Sequence, residues 1–270
     1  MRVLDELTSV VLAPNPSPMT LEGTNTYLLS APGSGEVIVV DPGPDLAAHH
    51  EAVDAAIGAR AVVAVVLSHH HVDHAEAAGW AVQWGAEVFA FSPELVAADV
   101  SVLHDEQRLD RAGVVVTAIH TPGHASDHLC LRVHATDAVL TGDHVLGRGT
   151  TVVAWPDGDM AAYMASLERL ATVPATVLYP GHGPVLDEPA RTVRQYLDHR
   201  REREAQVLAA LAAGDETPAQ IVARVYADVD TALHPAAQRS VRAHLDKLAA
   251  EQRVLHVVDP SIDKESYRVR

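Results

Sequence analysis

The sequence predicts an α/β domain followed by a smaller domain of winged-helix-like order. Three observations carry this prediction. Apolar, β-branched runs alternate with helical segments in the first two-thirds of the chain. Four of those runs end in a turn that contains His or Asp, and beyond residue 187 three helical segments precede two short strand-like runs. We therefore place the α/β domain at 1–187, the helical domain at 188–258 and a C-terminal tail at 259–270.

The elements of the α/β domain follow from turn and periodicity signals. A Pro-rich stretch at 15–29 runs into a strand, and 35–43 is a short strand that ends in the turn Asp41-Pro42-Gly43. The run 61–67, AVVAVVL, is apolar throughout, which is typical of a strand buried on both faces. A helix is expected from about Ala75 to Trp84. The other predicted segments are the helices DLAAHHEAVDAAIGA and DMAAYMASLERLA and the strands EVFAF, GVVVTAI, HLCLRV, AVLTG and TVLYP.

The helical domain begins with one long helix, EPARTVRQYLDHRREREAQVLAALAAG, in which Gly214 marks the C-terminal end. Thr217-Pro218 starts a second helix that runs to about Ala227. The segment HPAAQRSVRAHLDKLAAEQRV holds a third helix, and VLHVVD and SYRVR are short strands that close the chain. Three helices followed by a hairpin are the order of a winged helix.

The charge and the cysteine content of the chain limit which partners and which cellular compartment we expect for it. The formal net charge is −16, and residues 1–187 hold 7 Lys and Arg against 23 Asp and Glu, which disfavours binding of nucleic acid or an anionic membrane. The single cysteine, Cys130, allows no intrachain disulfide and is compatible with a reducing compartment. The first 16 residues resemble neither a secretory signal nor a transit peptide, and no run of 18 apolar residues occurs, so we expect a cytoplasmic protein.

The residues of interest lie at the ends of four apolar runs. A single His after a strand is more often a hydrogen-bonded loop residue than a metal ligand, but four such strand ends rarely arise by chance. If the four strands share one sheet and one direction, their turns meet at one edge. Imidazoles suit Zn²⁺, and a mixture of imidazoles and carboxylates suits Zn²⁺, Mn²⁺ or Fe²⁺. The four turns contain Ser68-His69-His70-His71-Val72-Asp73-His74, His120-Thr121-Pro122-Gly123-His124, Thr141-Gly142-Asp143-His144 and Pro180-Gly181-His182.

The pattern His69-x-His71-x-Asp73-His74, continued by single residues downstream, resembles that of metallo-β-lactamase-fold hydrolases. The resemblance implies an αββα sandwich with two metal ions, zinc as the first choice and manganese or iron as alternatives. Two ions about 3.5–4 Å apart can share an activated water and hold the reacting oxygen. The resemblance assigns His69, His71 and His124 to one ion and Asp73, His74 and His182 to the other, with Asp143 between them and with Asp73 and Asp143 as catalytic carboxylates.

Other polar residues have two interpretations each. Asp41 matches the position of a family aspartate that orients a ligand histidine, although a turn-making Asp is the simpler interpretation. His128 matches a family position near the cleft, and a structural histidine is an equal alternative. His70 should point away from the metals, His120 and His144 are expected to be structural, and Cys130 should be a buried apolar residue.

A closer resemblance extends over nearly the whole chain. The segments NPSPMTLEGTNTYLL, TPGHASDH, GDHVLGRGTTVV, DGDMAAYMASLERL and YPGHGPV resemble the lactamase-β-like protein 2 family, whose animal members are mitochondrial endoribonucleases that act on single-stranded RNA. We expect no transit peptide, and the chain has Ala75-Glu76-Ala77-Ala78-Gly79 where many superfamily members have a Gly-Gly pair. β-Lactamase activity is not expected, because there is no export signal and Asp143 stands where the commonest zinc β-lactamases have Cys.

The resulting functional expectation is hydrolysis of phosphodiesters in single-stranded RNA. An arginine-bearing surface could offset the acidic background, although interleaved Glu202 and Glu204 make a solvated helix face the simpler interpretation. A glyoxalase II-type thioesterase, acting on a small anionic ester or thioester, is the alternative, and a DNA-binding regulator is a third. The oligomeric state is open, with a homodimer as one option. The arginines considered for substrate binding are Arg148, Arg194, Arg200, Arg201 and Arg203.

Overall fold

The computed structural model describes residues 1–259 and 264–270 of the chain. Two compact units are present, and each is discontinuous in sequence. The first unit comprises Met1–Thr121, Asp127–Thr151 and Ala171–Thr192. The second comprises Pro122–Ser126, Val152–Leu170 and Val193–Arg270. Among the described residues, we find no helix with the length and apolar character needed to cross a membrane.

The first unit contains a seven-stranded sheet whose strands follow one another in chain order. The first four strands pair antiparallel, and each later strand lies parallel to the one before it. The strands are β1 (Arg2–Val3), β2 (Thr8–Leu12), β3 (Asn25–Leu29), β4 (Glu36–Val40), β5 (Ala61–Val66), β6 (Glu87–Ala90) and β7 (Val100–Val102).

The second sheet of this unit has the order β12-β11-β10-β9-β8, and β11 and β12 form its parallel pair. Because β9 and β11 are both antiparallel to β10, the strands β9, β11 and β12 run in one direction. The strands are β8 (Arg108–Arg111), β9 (Val114–His120), β10 (Leu129–Val133), β11 (Ala138–Gly142) and β12 (Val177–Pro180).

The condition that the four ligand-bearing strands share one sheet is therefore not met. Strand β5 belongs to the seven-stranded sheet, whereas β9, β11 and β12 belong to the five-stranded sheet. The two sheets pack face to face through apolar side chains such as Ile38 and Val66 from one and Leu131 and Leu140 from the other. Hydrophobic burial between the sheets, rather than hydrogen bonding within one sheet, holds the strand ends together.

The outer face of the seven-stranded sheet is covered by helices. Helix α1 (Ala47–Ile57) contributes Val53, and α3 (Trp80–Trp84) contributes Trp80, to a cluster that includes Val39 and Val65 of the sheet. The single helix expected between Ala75 and Trp84 is broken: α2 (Val72–Ala75) and a 3₁₀ turn (Glu76–Gly79) precede α3. Helix α2 begins at the metal-ligand motif, three residues earlier than the apolar pattern indicated.

The second unit has the winged-helix order that the sequence predicted. Thr217 caps α6, since its hydroxyl accepts the N–H of Gln220 and the Gln220 side chain accepts the N–H of Thr217. Val207, Val241 and Tyr267 lie in the core of the unit. Strand β14 falls within the segment 259–270 that the sequence set apart as a tail, and it pairs antiparallel with β13. The elements are α4 (Met160–Leu170), α5 (Pro189–Ala212, whose first turn lies in the first unit), α6 (Pro218–Val225), α7 (His234–Ala250), β13 (Val254–Asp259) and β14 (Lys264–Val269).

Candidate metal centre

Turns from both sheets of the first unit bring imidazoles and carboxylates together. The motif 69–74 follows β5, Asp143 follows β11, and His182 follows β12. The ligand atoms of His69, His74 and Asp143 all lie within 4.8 Å of one another, and the same holds for Asp73, His74 and His182. The sequence prediction that these residues meet in space therefore agrees with the structure of this unit.

Two pairs of nitrogens define two halves of the cluster. In one half, His69 Nε2 lies 3.0 Å from His71 Nδ1. In the other, His74 Nε2 lies 3.2 Å from His182 Nε2. Asp73 Oδ2 is 3.1 Å from His182 Nε2, and Asp143 Oδ1 is 3.3 Å from Nε2 of both His74 and His182.

The hydrogen bonds behind two of these rings determine which nitrogen faces the cluster. His74 Nδ1 lies 2.8 Å from Asp41 Oδ2, and His182 Nδ1 lies 3.1 Å from the carbonyl oxygen of Gly23. Since both partners only accept, Nδ1 donates in each case and Nε2 of the neutral ring carries a lone pair. Lone pairs and carboxylates crowded in a buried site repel one another unless a cation lies among them. The donor set fits a divalent metal ion such as Zn²⁺.

The electrostatics of the site favour positive charge. Burial alone would lower the pKa of His74, but the carboxylates of Asp143, Asp41 and Asp73 outweigh it and raise that pKa well above its ordinary value. Burial likewise opposes the charged form of His182, yet the Asp143 and Asp73 carboxylates raise its pKa to about 9. Without a metal ion the cluster therefore holds protons, which a metal would displace.

The two carboxyl groups of the cluster remain ionised. Burial would raise the pKa of Asp73, but His74 and His182 lower it to about 2. For Asp143, the same two histidines overcome burial and hold the pKa well below its usual range. The site therefore presents two negative charges to a cation at neutral pH.

His124 belongs to the second unit, within Pro122–Ser126. Its Nδ1 lies 2.7 Å from the carbonyl oxygen of Val152 and so donates to it, which makes Nε2 the nitrogen able to bind a metal. The preceding Gly123 has φ +133, and a Cβ at that position would lie 2.3 Å from Tyr163 Cα. Only glycine allows this turn, which explains why Gly123 precedes His124.

The backbone of Asp143 is held from both sides. His128 Nε2 accepts the Asp143 N–H at 3.1 Å, and the Asp143 carbonyl oxygen accepts the Thr151 hydroxyl at 2.7 Å. Because its Nε2 accepts, His128 is neutral and donates from Nδ1 to the Thr121 hydroxyl at 2.9 Å. His128 thus combines the two interpretations of its sequence position, since it is a fully buried structural histidine that also fixes a predicted ligand.

Two glycines, because they have no side chain, provide room for the residues of the cluster. A Cβ on Gly181 would lie 2.6 Å from His74 Cε1 and 2.7 Å from Asp143 Oδ1. A Cβ on Gly142, whose φ is +45, would lie 2.7 Å from His128 Nε2. The geometry of the site therefore requires glycine at these two positions, beyond the need for a turn.

Three further histidines and the cysteine have other contacts or lie in the core. His70 turns to Asp127, with Nδ1 2.8 Å from Oδ1. His120 stacks on Phe91 at 3.7 Å between ring centroids, and His144 is fully buried. Cys130 is buried in β10, as the sequence indicated.

The five candidate arginines do not form one exposed surface. Arg148 pairs with Glu22 at 2.8 Å, and Arg201 on α5 lies 3.3 Å from Glu168. Arg203 donates to Gln206 and to a backbone carbonyl. Arg200 is only 3% exposed, so it matches neither a phosphate contact nor a solvated helix face. Arg194 is exposed on the same helix.

Two contributors were missing from the sequence argument. Ser68 bonds both Asp41 and His69, and the Gly23 carbonyl orients His182. Ser68 could have been identified from the sequence, because it is a polar residue between an apolar strand and the predicted ligand His69. Gly23 acts through its backbone, and no side-chain pattern reveals such a role.

Comparison with known proteins follows the same division of the chain. The profile described as Metallo-beta-lactamase superfamily matches residues 19–89 and 82–182. The profile described as Beta-lactamase associated winged helix domain matches residues 217–263.

Several curated relatives are identical to this chain at about a third of the aligned residues. The Beta-lactamase-like protein 2 homolog of Drosophila melanogaster is 34% identical over 95% of this chain and 92% of its own length. The Lactamase-like protein adaB of Aspergillus niger is 35% identical over 74% of this chain, but the match spans only 62% of that longer protein. The Atrochrysone carboxyl ACP thioesterase of Aspergillus fumigatus is 35% identical over 74% of this chain and 64% of its own length.

Solved structures agree in fold. A metallo-beta-lactamase family protein from Thermus thermophilus superposes with a TM-score of 0.83 at 23% identity, over 97% of this chain and 98% of that one. A beta-lactamase domain protein from Burkholderia ambifaria gives a TM-score of 0.86 at 20% identity, over 99% of this chain and 93% of that one.

Proposed function

The chain belongs to the metallo-β-lactamase superfamily, a family of metal-dependent hydrolases, and on that premise we propose that it holds two divalent ions and hydrolyses a small anionic ester or thioester. The observation that carries the proposal is the convergence of imidazole lone pairs and two ionised carboxylates at the strand ends. The proposed ligands are His69, His71 and His124 for one ion, Asp73, His74 and His182 for the other, and Asp143 between them.

The chain's own residues have distinct tasks in this site. The bound ions, zinc being our first choice, would supply an activated water and stabilise charge on the substrate oxygen. Asp41 and the Gly23 carbonyl fix the rings of His74 and His182, so that both Nε2 atoms face the cluster. The carboxylate of Asp73 would provide negative charge and a ligand oxygen for the ion. His124 joins the set on the family pattern.

Charge supports a small substrate over a polyanion. The net charge of −16 repels a nucleic acid, and the repulsion grows with the number of phosphates. Arg148 and Arg201 are paired with carboxylates, and Arg200 is buried, so these three do not offset the repulsion. The Atrochrysone carboxyl ACP thioesterase among the relatives supports thioester hydrolysis as the reaction, although not the size of the substrate.

Single-stranded RNA is the second candidate substrate. Its support is the 34% identity to the Beta-lactamase-like protein 2 homolog of Drosophila melanogaster over 95% of this chain, taken with the single-stranded RNA cleavage that the sequence resemblance to that family implies. The exposed Arg194 and the divalent ions themselves would then provide the positive charge for phosphate binding.

A parallel assay of the purified full chain, loaded with zinc or manganese, separates these candidates. The substrates are S-lactoylglutathione, a short single-stranded RNA, bis(p-nitrophenyl) phosphate and nitrocefin. We expect thioester hydrolysis to exceed the other activities, and Asp143→Ala to abolish it, because that change removes a carboxylate that would hold the metal ions. Efficient RNA cleavage with no thioester turnover would reverse our ranking, and efficient nitrocefin hydrolysis alone would contradict both candidates.

A further inference from the structure

We propose that Ser68 is a positioning residue that relays the orientation of Asp41 to His69, so that one carboxylate sets the metal-facing nitrogen in both halves of the cluster. The inference deepens the proposed function, on which its metal-binding consequences rest. It concerns hydrogen bonds within the first unit, and the residues involved are at most 3% exposed.

The contacts form a short chain. The Ser68 backbone N–H donates to Asp41 Oδ1 at 2.7 Å. The Ser68 hydroxyl lies 2.7 Å from Asp41 Oδ2 and 3.0 Å from His69 Nδ1. Ser68 therefore sits between a carboxylate and a candidate metal ligand.

Counting hydrogens fixes the direction of each bond. The Ser68 hydroxyl donates its single hydrogen to Asp41 Oδ2. The lone pairs of Ser68 Oγ can then only accept, which requires a hydrogen on His69 Nδ1. The neutral His69 ring consequently carries its lone pair on Nε2, the atom that lies 3.0 Å from His71 Nδ1.

The same carboxylate acts directly on the other half. Asp41 Oδ2 also accepts the hydrogen of His74 Nδ1 at 2.8 Å, which leaves the lone pair of His74 on Nε2. Asp41 thus reaches His74 in one step and His69 in two. Loss of Asp41 should affect both metal positions, whereas loss of the Ser68 hydroxyl should affect the position of His69 first.

Packing holds the relay in place. Asp41 has φ +50, and its backbone carbonyl accepts the Thr26 hydroxyl at 2.7 Å. The Ser68 carbonyl accepts the N–H of Leu129 from the opposite sheet at 2.7 Å. Gly142 is essential to the fit, since a Cβ there would lie 2.8 Å from Ser68 Oγ. Ser68 is therefore tied to both sheets and cannot easily turn its hydroxyl elsewhere.

The test compares Ser68→Ala, Ser68→Thr and Asp41→Asn in the full chain. Stepwise zinc affinities are measured by competition with a chromogenic chelator after metal removal. We expect Ser68→Ala to weaken one of the two binding steps by about 10–100-fold. Ser68→Thr should restore that step, and Asp41→Asn should weaken both. Two zinc steps in Ser68→Ala that match wild type, or that weaken equally, would overturn the relay.

A second measurement separates this inference from the proposed function. In metal-free protein labelled with ¹⁵N-histidine, at a pH where the His69 ring is neutral, the shifts of the ring nitrogens report which one carries hydrogen. We expect His69 to be the Nδ1–H tautomer in wild type and to lose that preference in Ser68→Ala. An Nε2–H tautomer of His69 in wild type refutes the relay whatever the substrate is. A wild-type chain that binds fewer than two ions contradicts the proposed function, while the tautomer still decides the relay.

Discussion

At the scale of single residues, a glycine without a side chain matters to the site as much as the candidate metal ligands do. Gly181 precedes His182, and a Cβ there would lie 2.6 Å from His74 Cε1 and 2.7 Å from Asp143 Oδ1. We predict that Gly181→Ala pushes these two side chains apart and weakens metal binding by about 10–100-fold, comparable to the loss of a supporting hydrogen bond. Zinc content after dialysis and hydrolytic activity measure the effect.

Gly79 offers a matched control for that change. It lies in the 3₁₀ turn after α2, and a Cβ there would meet nothing within 4 Å. Gly79→Ala should therefore leave zinc content unchanged and leave stability unchanged or slightly higher. If Gly181→Ala retains both ions at wild-type affinity, the space left by Gly181 is not needed for the site.

The residues that the sequence identified are those whose chemistry is carried by the side chain. His69, His74 and His182 were recognisable because they stand at strand ends in a spaced pattern. Ser68 and Gly23 were missed because their roles depend on neighbours that are distant in sequence: Ser68 needs Asp41, and Gly23 needs His182. A sequence pattern identifies donor atoms, but the bonds that orient them appear only once the chain is folded.

At the scale of elements, α5 shows why a charged pattern is ambiguous. Its arginines suggested a basic face, yet Arg200 is 3% exposed and its guanidinium lies 5.1 Å from the centre of the Tyr163 ring. We predict that Arg200→Ala destabilises the second unit by about 2–4 kcal/mol, because it removes buried packing together with the cation–π contact. Urea unfolding followed by far-UV circular dichroism checks the loss.

Arg194 on the same helix is the control, since it is exposed. Arg194→Ala should change the unfolding free energy by no more than about 0.5 kcal/mol. Equal effects of the two substitutions would show that the burial of Arg200 does not contribute to stability.

Strand and helix identities were largely predictable, whereas their grouping was not. The run AVVAVVL became β5, and the three segments after residue 188 became α5, α6 and α7. The sequence did not show that β5 lies in a different sheet from β9, β11 and β12. The pairing of β5 with β4 and the packing of its apolar face on the second sheet depend on residues distant in the chain. The single helix expected between Ala75 and Trp84 failed for a local reason: the chain has to begin turning at Val72 to place His74 beneath Asp41.

At the scale of the whole molecule, acidity is concentrated where the candidate metals lie. Residues 1–187 hold 23 acidic against 7 basic side chains, while 188–258 are balanced at 10 each. Divalent ions bound there would offset part of this charge, because each ion would contribute two positive charges to the cluster. This excess of negative charge would stabilise a bound cation and would also repel a long anion. The acidity of residues 1–187 therefore favours metal binding and disfavours large anionic substrates.

Buried histidines should make the whole chain sensitive to acid. Burial, helped by nearby Arg200 and Lys247, lowers the pKa of His244 to about 3, and burial likewise lowers the pKa of His49 to about 4. Unfolded histidine titrates near about 6.5. Below that pH the unfolded state binds more protons than the folded state, so stability must fall as the pH falls from about 6.5 toward the folded values.

His244 allows a direct test of that dependence. Neither ring nitrogen has a hydrogen-bond partner among the residues that the structure describes, and His244 is fully buried, so His244→Leu should keep or raise stability at pH 7. In the wild type, His244 should contribute a slope of up to about 1.4 kcal/mol per pH unit between about pH 6 and 4. Urea unfolding across that range should therefore give a shallower pH dependence for His244→Leu. If the slopes of variant and wild type coincide while both proteins remain folded at pH 7, His244 does not exclude protons in the folded state, and the acid sensitivity must come from other groups.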